Sequence, residues 1–133
     1  MTVLLVSVFL LLVISTYPAL ELANYDKKYL YVSTAYGYSM YPTIKNGDLL
    51  IVAPKSSPYY HPDVGDILVY KHDNFYIAHR LLQIGNNFYI VKGDNNEYFE
   101  KISEDDIIGE VIETIPQENF IACWIVKNLV NYN

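Results

Sequence analysis

A serine and its neighbours in the first half of the chain have the residue types that acyl transfer needs. Ser39 follows Gly37 and precedes Pro42 in the segment GYSMYPTIKNGDLLIV, residues 37–52. A serine on a constrained loop at a sheet edge exposes its hydroxyl and directs nearby backbone N–H groups toward one point. Most loop serines only hydrogen-bond the backbone of a turn, so Ser39 requires a base before it can be considered a nucleophile.

His79 is the histidine best placed to act as that base. His61 lies in a proline-flanked loop and His72 in a turn, whereas His79 interrupts the strand-like run YIAHRLLQI, residues 76–84. A neutral imidazole can accept a serine proton near neutral pH. A histidine in mid-strand either lies on the solvated face or takes part in a specific contact, so the residues alone make His79 only the candidate base.

Hairpin geometry suggests an acid beside His79. If Asn86-Asn87 forms a two-residue turn, His79 and Asp94 face each other across the hairpin. A turn that is one residue longer would place Gly93 opposite His79 and move Asp94 to a diagonal position. The register of this hairpin therefore decides whether Asp94 can orient the imidazole.

The elements that must position these residues are predicted to be short strands. From residue 25 onward, β-branched and aromatic runs are broken by turn residues about every 8–12 positions, which is typical of an antiparallel all-β domain. We expect strands at 29–35, 49–52, 66–70, 76–84, 88–92 and 107–114 within a catalytic domain at 25–133. The acid-rich stretch 97–118 is predicted to be a solvated face. The tail 119–133 is predicted to pack on the core as a last strand; the alternative is an interfacial segment with Trp124 at headgroup depth.

The first 22 residues differ in composition from the rest of the chain. Residues 1–20 contain no Asp, Glu, Lys, Arg or His. About 20 apolar residues in a helix cross the hydrocarbon core of a bilayer, so we expect an uncleaved membrane anchor at 1–22. A cleaved signal peptide is the alternative; the absence of Lys or Arg before the apolar run and of a small-x-small pair at Ala19 and Ala23 disfavours it.

Charge and cysteine content exclude several classes of protein. The chain has 9 basic and 15 acidic side chains and a net charge of −6. A protein that binds a phosphate backbone would show a basic patch, so nucleic acid is not an expected partner. The single cysteine, Cys123, excludes an internal disulfide framework, and the three histidines lack the spacing of metal ligands. We expect neither a metal nor a cofactor.

Taken in order, these segments resemble the type I signal peptidase family (peptidase family S26), specifically its archaeal and endoplasmic-reticulum branch. The resemblance rests on the apolar N-terminal segment, GYSMYPTIKNGDLLIV, VGDILVY, IAHRLLQI, VKGDNN and DDIIGEV, which together cover nearly the whole chain. In the bacterial branch a lysine stands where His79 stands here. The chain therefore resembles the variant that uses serine and histidine.

The resemblance implies a mainly β, antiparallel and barrel-like catalytic domain with one N-terminal transmembrane helix. It implies a membrane-bound serine endopeptidase that cleaves signal peptides from secretory preproteins. Ser39 would attack the scissile carbonyl and His79 would accept its proton. The backbone N–H of Ser39, with a neighbour near Gly37, would stabilise the oxyanion, and Met40 and Pro42 would shape the nucleophile loop and the substrate pockets.

The family resemblance also implies a location and partners. The catalytic domain would lie on the extracytoplasmic side of the membrane, which is the plasma membrane in an archaeon and the endoplasmic reticulum in a eukaryote. Its partners would be secretory preproteins and membrane lipid, while the sequence identifies no accessory subunit.

The acid that completes the site has two candidates. In the histidine branch the catalytic aspartate lies six residues after the Asp of the GDN motif, and that position here is Glu100. Glutamate accepts the same imidazole N–H bond through a longer side chain, so either Asp94 or Glu100 orients His79.

Two alternative functions stay open. The glutamate at position 100 motivates the first, a catalytically silent, membrane-tethered module that binds signal peptides. The second alternative is a relative of the LexA-like autoproteases, which use a lysine base.

Overall fold

The chain folds into one half-barrel sheet flanked by two helices. The structure, a computed structural model, describes residues 2–132, and side chains up to Val130. The elements in chain order are helix α1 (Thr2–Glu21), strands β1 (Tyr31–Thr34), β2 (Leu49–Pro54), β3 (Ile67–His72), β4 (Phe75–Ile84), β5 (Phe88–Lys92), β6 (Phe99–Ser103) and β7 (Ile107–Ile115), helix α2 (Phe120–Leu129) and the short strand β8 (Asn131–Tyr132).

The sheet has the strand order β6-β5-β4-β3-β7-β2-β1-β8. Strands β1 to β7 pair antiparallel with their neighbours, and only the short β8 pairs parallel, with β1. The predicted mainly β, antiparallel fold is therefore confirmed. Strands β1 to β5 and β7 coincide with the six predicted segments to within two residues at either end.

Strand β6 corrects the prediction that residues 97–118 form a solvated face. Its sequence FEKIS alternates, so that Glu100 and Ile102 face inward while Phe99, Lys101 and Ser103 are exposed. Only one of the two inward residues is apolar, which hides the alternation on which strand prediction depends. Glu110 in β7 departs from the prediction as well, because it is 8% exposed.

Most of the tail forms helix α2, so the predicted last strand is wrong for this part, and only Asn131–Tyr132 pair with the sheet as the short strand β8. Asn119 caps this helix with its Oδ1, which accepts a hydrogen bond from the N–H of Ala122 at 3.1 Å. Ala122 and Val126, four residues apart, lie on one helical face and are fully buried in the core. Packing on the core was expected and is present, but a helix provides it.

Helix α1 is apolar and exposed along most of its length. The stretch Thr2–Asn24 has a mean hydropathy of 2.4, and 6% of its most apolar part is buried. Ala19 and Leu22, at its carboxyl-terminal end, join a core cluster that includes Val32 and Val126. The helix is thus long and apolar enough to cross a membrane, and its last turn packs into the β-domain. The expected division into 1–22 and 25–133 stays a prediction.

Candidate active site

Ser39 lies on the nucleophile loop, residues 35–48, which connects β1 to β2. The two ends of the loop are joined by backbone hydrogen bonds, from Ala35 N–H to the Asp48 carbonyl and from Gly47 N–H to the Ala35 carbonyl, both 2.8 Å. Gly37 has a φ of +91°, a conformation that favours glycine. Ser39 itself is partly buried. The loop is therefore closed at its base and turns sharply just before the serine.

The NGD sequence of this loop has a structural role. Asp48 is 2% exposed, and its two carboxylate oxygens accept hydrogen bonds from the N–H of Lys45 at 2.8 Å and of Gln117 at 3.0 Å. Gly47 has a φ of +95°, and a Cβ there would lie 2.4 Å from Gln117 Oε1. These contacts attach the end of the nucleophile loop to the segment that follows β7.

The loop after β5 holds the backbone on either side of the serine hydroxyl. Asn95 donates its N–H to the carbonyl of Ser39 at 2.8 Å, and its Nδ2 donates to the carbonyl of Tyr38 at 3.1 Å. A Cβ on Gly93 would lie 2.6 Å from the same Ser39 carbonyl oxygen, so only glycine allows this approach. The GDNN motif thus acts directly on the position of the nucleophile.

Asp94 belongs to a group that we call the Asp94 brace, formed by Asp94, Arg80 and Thr43. Arg80 donates two hydrogen bonds to the carboxylate, at 2.8 and 2.7 Å, and the Thr43 hydroxyl donates a third at 2.6 Å. The Arg80 guanidinium, helped by Thr43, holds the pKa of Asp94 below its usual range. The N–H of Asp94 also donates to Met40 Sδ at 3.4 Å. The brace therefore ties strand β4 to the nucleophile loop.

The predicted facing of His79 and Asp94 is not observed. The Asn86-Asn87 turn has two residues, since Gly85 N–H bonds the Phe88 carbonyl at 2.9 Å. A β-bulge at Leu82 then shifts the register by one residue, so that Arg80 pairs with Lys92. Continuing this offset places Gly93 opposite His79. The longer-turn alternative thus describes the register at the histidine, although a bulge produces it.

His79 sits in the middle of β4, opposite Leu68 of β3, and is 3% exposed. Its Nδ1 lies 3.0 Å from the hydroxyl oxygen of Tyr70 and 3.7 Å from Glu100 Oε1. The Tyr70 hydroxyl also bonds Glu100 Oε2 at 3.1 Å. Of the two acids left open by the sequence, Glu100 is the one on the Nδ1 side of the ring.

Burial lowers the pKa of His79 below its ordinary value, and the charges of Glu100 and Asp94 partly oppose this shift. A lowered pKa leaves the imidazole neutral near neutral pH, which is the form that can accept a proton. Because Nδ1 faces Tyr70 and Glu100, Nε2 is the nitrogen left for the serine.

Ser39 and His79 line the same cavity, which has a volume of about 820 Å³. Gly37 and Met40 also line it, together with an apolar wall that includes Ala35, Ile44, Leu50, Val69 and Ala78. Pro42 follows a cis peptide bond and is exposed. Among the hydrogen bonds of residues 2–132, none joins the Ser39 hydroxyl to His79. Catalytic hydrogen bonds are often long before substrate binds and tighten in its complex.

The nucleophile loop provides one backbone N–H as a candidate oxyanion donor. The N–H of Gly37 donates to Asn46 Oδ1 at 2.9 Å, so Gly37 shapes the turn and leaves the N–H of Ser39 as the candidate oxyanion donor.

A second histidine lies near the site: His72, 56% exposed, has its Nδ1 3.9 Å from Glu100 Oε2. Within the described residues, no group of His, Cys, Asp and Glu side chains is arranged to hold a metal ion.

Sequence reasoning missed the residues that connect the motifs. The residue types of Tyr70, Thr43, Asn95 and Arg80 do not by themselves indicate a role in the site, and Arg80 enters the sequence analysis only within the run YIAHRLLQI. Tyr70 carried a usable signal, because it ends the apolar run ILVY and a buried tyrosine hydroxyl normally has a partner. The other contacts depend on the bulge at Leu82 and on loop conformation.

Comparison with known proteins places this fold and site in a class. The family described as Peptidase S24-like matches residues 11–112, and the chain belongs to that family.

Curated relatives narrow the likeness. The signal peptidase complex catalytic subunit SEC11 of Lachancea thermotolerans is 34% identical over 110 residues, which cover 68% of this chain and 62% of that protein. The protein of the same name from Saccharomyces cerevisiae (strain YJM789) is 32% identical over 109 residues, with the same coverage. The chain thus spans less than two thirds of the length of these relatives. The resemblance to the endoplasmic-reticulum branch of the type I signal peptidases is confirmed.

Proposed function

We propose that this protein is a membrane-anchored serine endopeptidase that removes N-terminal signal peptides from secretory preproteins. One observation carries the proposal: Ser39 and a buried histidine of lowered pKa line one cavity, and the Nδ1 side of that histidine faces Tyr70 and Glu100. The names of the SEC11 relatives support the same activity.

The mechanism follows from the positions of these groups. Ser39 Oγ attacks the scissile carbonyl while His79 Nε2 accepts the hydroxyl proton, and the N–H of Ser39 stabilises the oxyanion. The resulting imidazolium protonates the leaving amine, which departs with the mature protein. Water, deprotonated by His79, then hydrolyses the acyl-enzyme and releases the signal peptide with a new carboxylate.

The cavity suggests how the substrate is selected. Its walls beside Ser39 are formed mainly by small and aliphatic side chains such as Ala35, Ala78 and Val69. Such walls suit an extended peptide with small residues next to the scissile bond, and they offer no charge for a long polar side chain to pair with. This fits the small-residue preference that the signal peptidase resemblance implies.

Membrane attachment is the second part of the proposal. Residues 1–22 would form the transmembrane anchor, and residues 25–133 the catalytic domain on the extracytoplasmic side. Helix α2 packs beside the end of α1, where Asn119 Nδ2 donates to the Ser15 carbonyl at 2.7 Å. Phe120 and Trp124 of α2 are 80% and 70% exposed. These aromatic side chains are suited to the headgroup layer, where aromatic residues concentrate.

Cleavage of a preprotein by the detergent-solubilised full chain tests the activity. We expect the wild type to release the mature protein and Ser39→Ala and His79→Ala to lose nearly all cleavage. Ser56→Ala and His61→Ala, at exposed positions, serve as matched controls and should cleave normally. Equal cleavage by the wild type and both site variants would reject the serine mechanism.

The same experiment separates the alternatives. A catalytically silent module would bind the preprotein without cutting it, and Glu100→Asp would restore cleavage if the site were merely degraded. An autoprotease would cut its own chain and leave an added preprotein intact.

A further inference from the structure

Tyr70 is the residue through which Glu100 and His79 meet. Its ring is fully buried, and its hydroxyl oxygen lies 3.0 Å from His79 Nδ1 and 3.1 Å from Glu100 Oε2. The direct distance from Nδ1 to Glu100 Oε1 is 3.7 Å, which is too long for a hydrogen bond. The carboxylate therefore reaches the imidazole through the tyrosine hydroxyl.

The protons of this contact can be assigned from the donor and acceptor capacities of the groups. A phenol has one proton, and burial together with the Glu100 carboxylate raises the pKa of Tyr70 far above its ordinary value, so the proton stays. An ionised carboxylate only accepts, so the hydroxyl donates to Glu100. The hydroxyl oxygen must then accept from His79, which requires a proton on Nδ1.

We propose that Tyr70 is a positioning residue that relays Glu100 to His79, holding the imidazole as the tautomer with Nδ1 protonated and Nε2 free. We call Glu100, Tyr70 and His79 the Glu100 relay. Its part in catalysis rests on the proposed peptidase function, but the tautomer does not. The relay also explains how a glutamate completes the site, since the carboxylate need only reach the hydroxyl. When His79 becomes charged, the Tyr70 oxygen and Glu100 stabilise the Nδ1 proton without any transfer of it.

Nitrogen-15 spectra of histidine-labelled full chain in detergent test the tautomer without requiring activity. The chain has three histidines, and a His79→Ala variant assigns the signal. Spectra recorded at about pH 8, above the lowered pKa of His79, report on its neutral imidazole. We expect a protonated Nδ1 in the wild type and a shift toward protonated Nε2 in Tyr70→Phe. A wild type with protonated Nε2, or no change in Tyr70→Phe, would overturn the relay.

Kinetics test whether the relay supports catalysis. Base catalysis contributes about 10²–10⁴-fold, so we expect Tyr70→Phe to lose about 10-fold or more in kcat with little change in KM. Tyr60→Phe, at a partly buried tyrosine packed against the buried cluster that contains Tyr70 and Leu68, is the matched control and should keep full kcat. The circular dichroism spectrum of each variant checks its fold.

A double variant gives the sharper result. If Tyr70 and Glu100 act as one unit, Tyr70→Phe combined with Glu100→Gln loses about as much kcat as Tyr70→Phe alone. Losses that multiply would mean separate roles and would reject the relay. If the wild type cleaves nothing, the proposed function fails, while the spectra of the same sample still decide the tautomer.

Discussion

Asp94 and Glu100 are two acids near one histidine, and the structure holds them in different ways. Asp94 has Arg80 on both carboxylate oxygens and Thr43 on one of them. Glu100 has Tyr70 on one oxygen and His79 at 3.7 Å from the other. Both charges raise the pKa of His79, but only one acid is on the hydrogen-bonded side of the ring.

The difference shows that charge and proximity do not by themselves define the orienting acid. The Asp94 carboxylate accepts two charged hydrogen bonds from Arg80 and a third hydrogen bond from Thr43, which suit it to hold structure. The Asp94 brace accordingly positions the nucleophile loop, whereas the Glu100 relay positions the base. Variants of each group should therefore fail in distinguishable ways.

Removal of Asp94 is expected to have the largest effect, because it disturbs both stability and activity. Asp94→Ala leaves Arg80 without its carboxylate, and the lost charged hydrogen bonds should cost about 2–4 kcal/mol of unfolding free energy. Displacement of the nucleophile loop should lower kcat about 100-fold. Urea unfolding and preprotein cleavage measure the two effects. Asp73→Asn, at an exposed carboxylate, is the control, and an Asp94→Ala protein of normal stability would contradict the brace.

Removal of the Glu100 charge should affect activity far more than stability. Glu100→Gln keeps the side-chain shape at a partly exposed position, so the urea midpoint should stay close to that of the wild type. The kcat should fall about 10-fold or more, because the imidazolium loses its carboxylate. The exposed Glu97→Gln is the control. If kcat stays unchanged in Glu100→Gln, Asp94 rather than Glu100 would be the acid that supports His79.

A methyl group on Gly93 should act on the nucleophile loop without altering either acid. In Gly93→Ala the new Cβ would contact the Ser39 carbonyl oxygen, and the loop or the GDNN segment must move. We expect a loss of about 10-fold in kcat and about 1–3 kcal/mol in stability. The pH dependence of the residual activity should match the wild type, since neither His79 nor the two acids whose charges raise its pKa are replaced. A displaced pH profile would show that the substitution also reaches the histidine.

The smallest expected effect is on the pH dependence of cleavage. Only the pH range over which kcat/KM rises should shift. Activity requires neutral His79, whose pKa lies below the ordinary value of 6.5, so kcat/KM should rise with pH along a limb centred below 6.5 and then level off. The Glu100 charge raises this pKa, so Glu100→Gln should move the rising limb to lower pH. A flat profile would exclude His79 as the titrating base, and a limb that moves to higher pH would contradict the effect of the Glu100 charge on its pKa.

The sequence predicts most of the sheet, since alternating runs bounded by turn residues are local features. Strand β6 is missed because one of its two inward residues is the acid of the site, and α2 because its apolar run is too short to show a helical period clearly. Under the proposed relay, function and pattern conflict at Glu100, because the acid that the proposal assigns to the chemistry obscures the strand that positions it.

The candidate site is predicted to a similar extent. Ser39 and His79 follow from residue types, their spacing and the family resemblance. The choice between Asp94 and Glu100 does not follow from the sequence, because it depends on a one-residue bulge at Leu82 that no turn residue indicates. The role of Tyr70 is missed for a different reason, because its hydroxyl contacts Glu100 only once β6 pairs with β5 at the edge of the sheet.

The burial of Ala19 and Leu22 in the cluster with Val32 and Val126 bears on how the active site is held above a membrane. In a membrane-anchored peptidase, the last turn of the anchor would then be part of the folded domain, with no flexible tether between them. Under that proposal the height of Ser39 over the bilayer would follow from folding, and a signal peptide would be cut at a fixed distance from the membrane. A shortened chain that begins after Leu22 would expose this cluster to water. It would lose both the fixed distance between Ser39 and the membrane and part of its core.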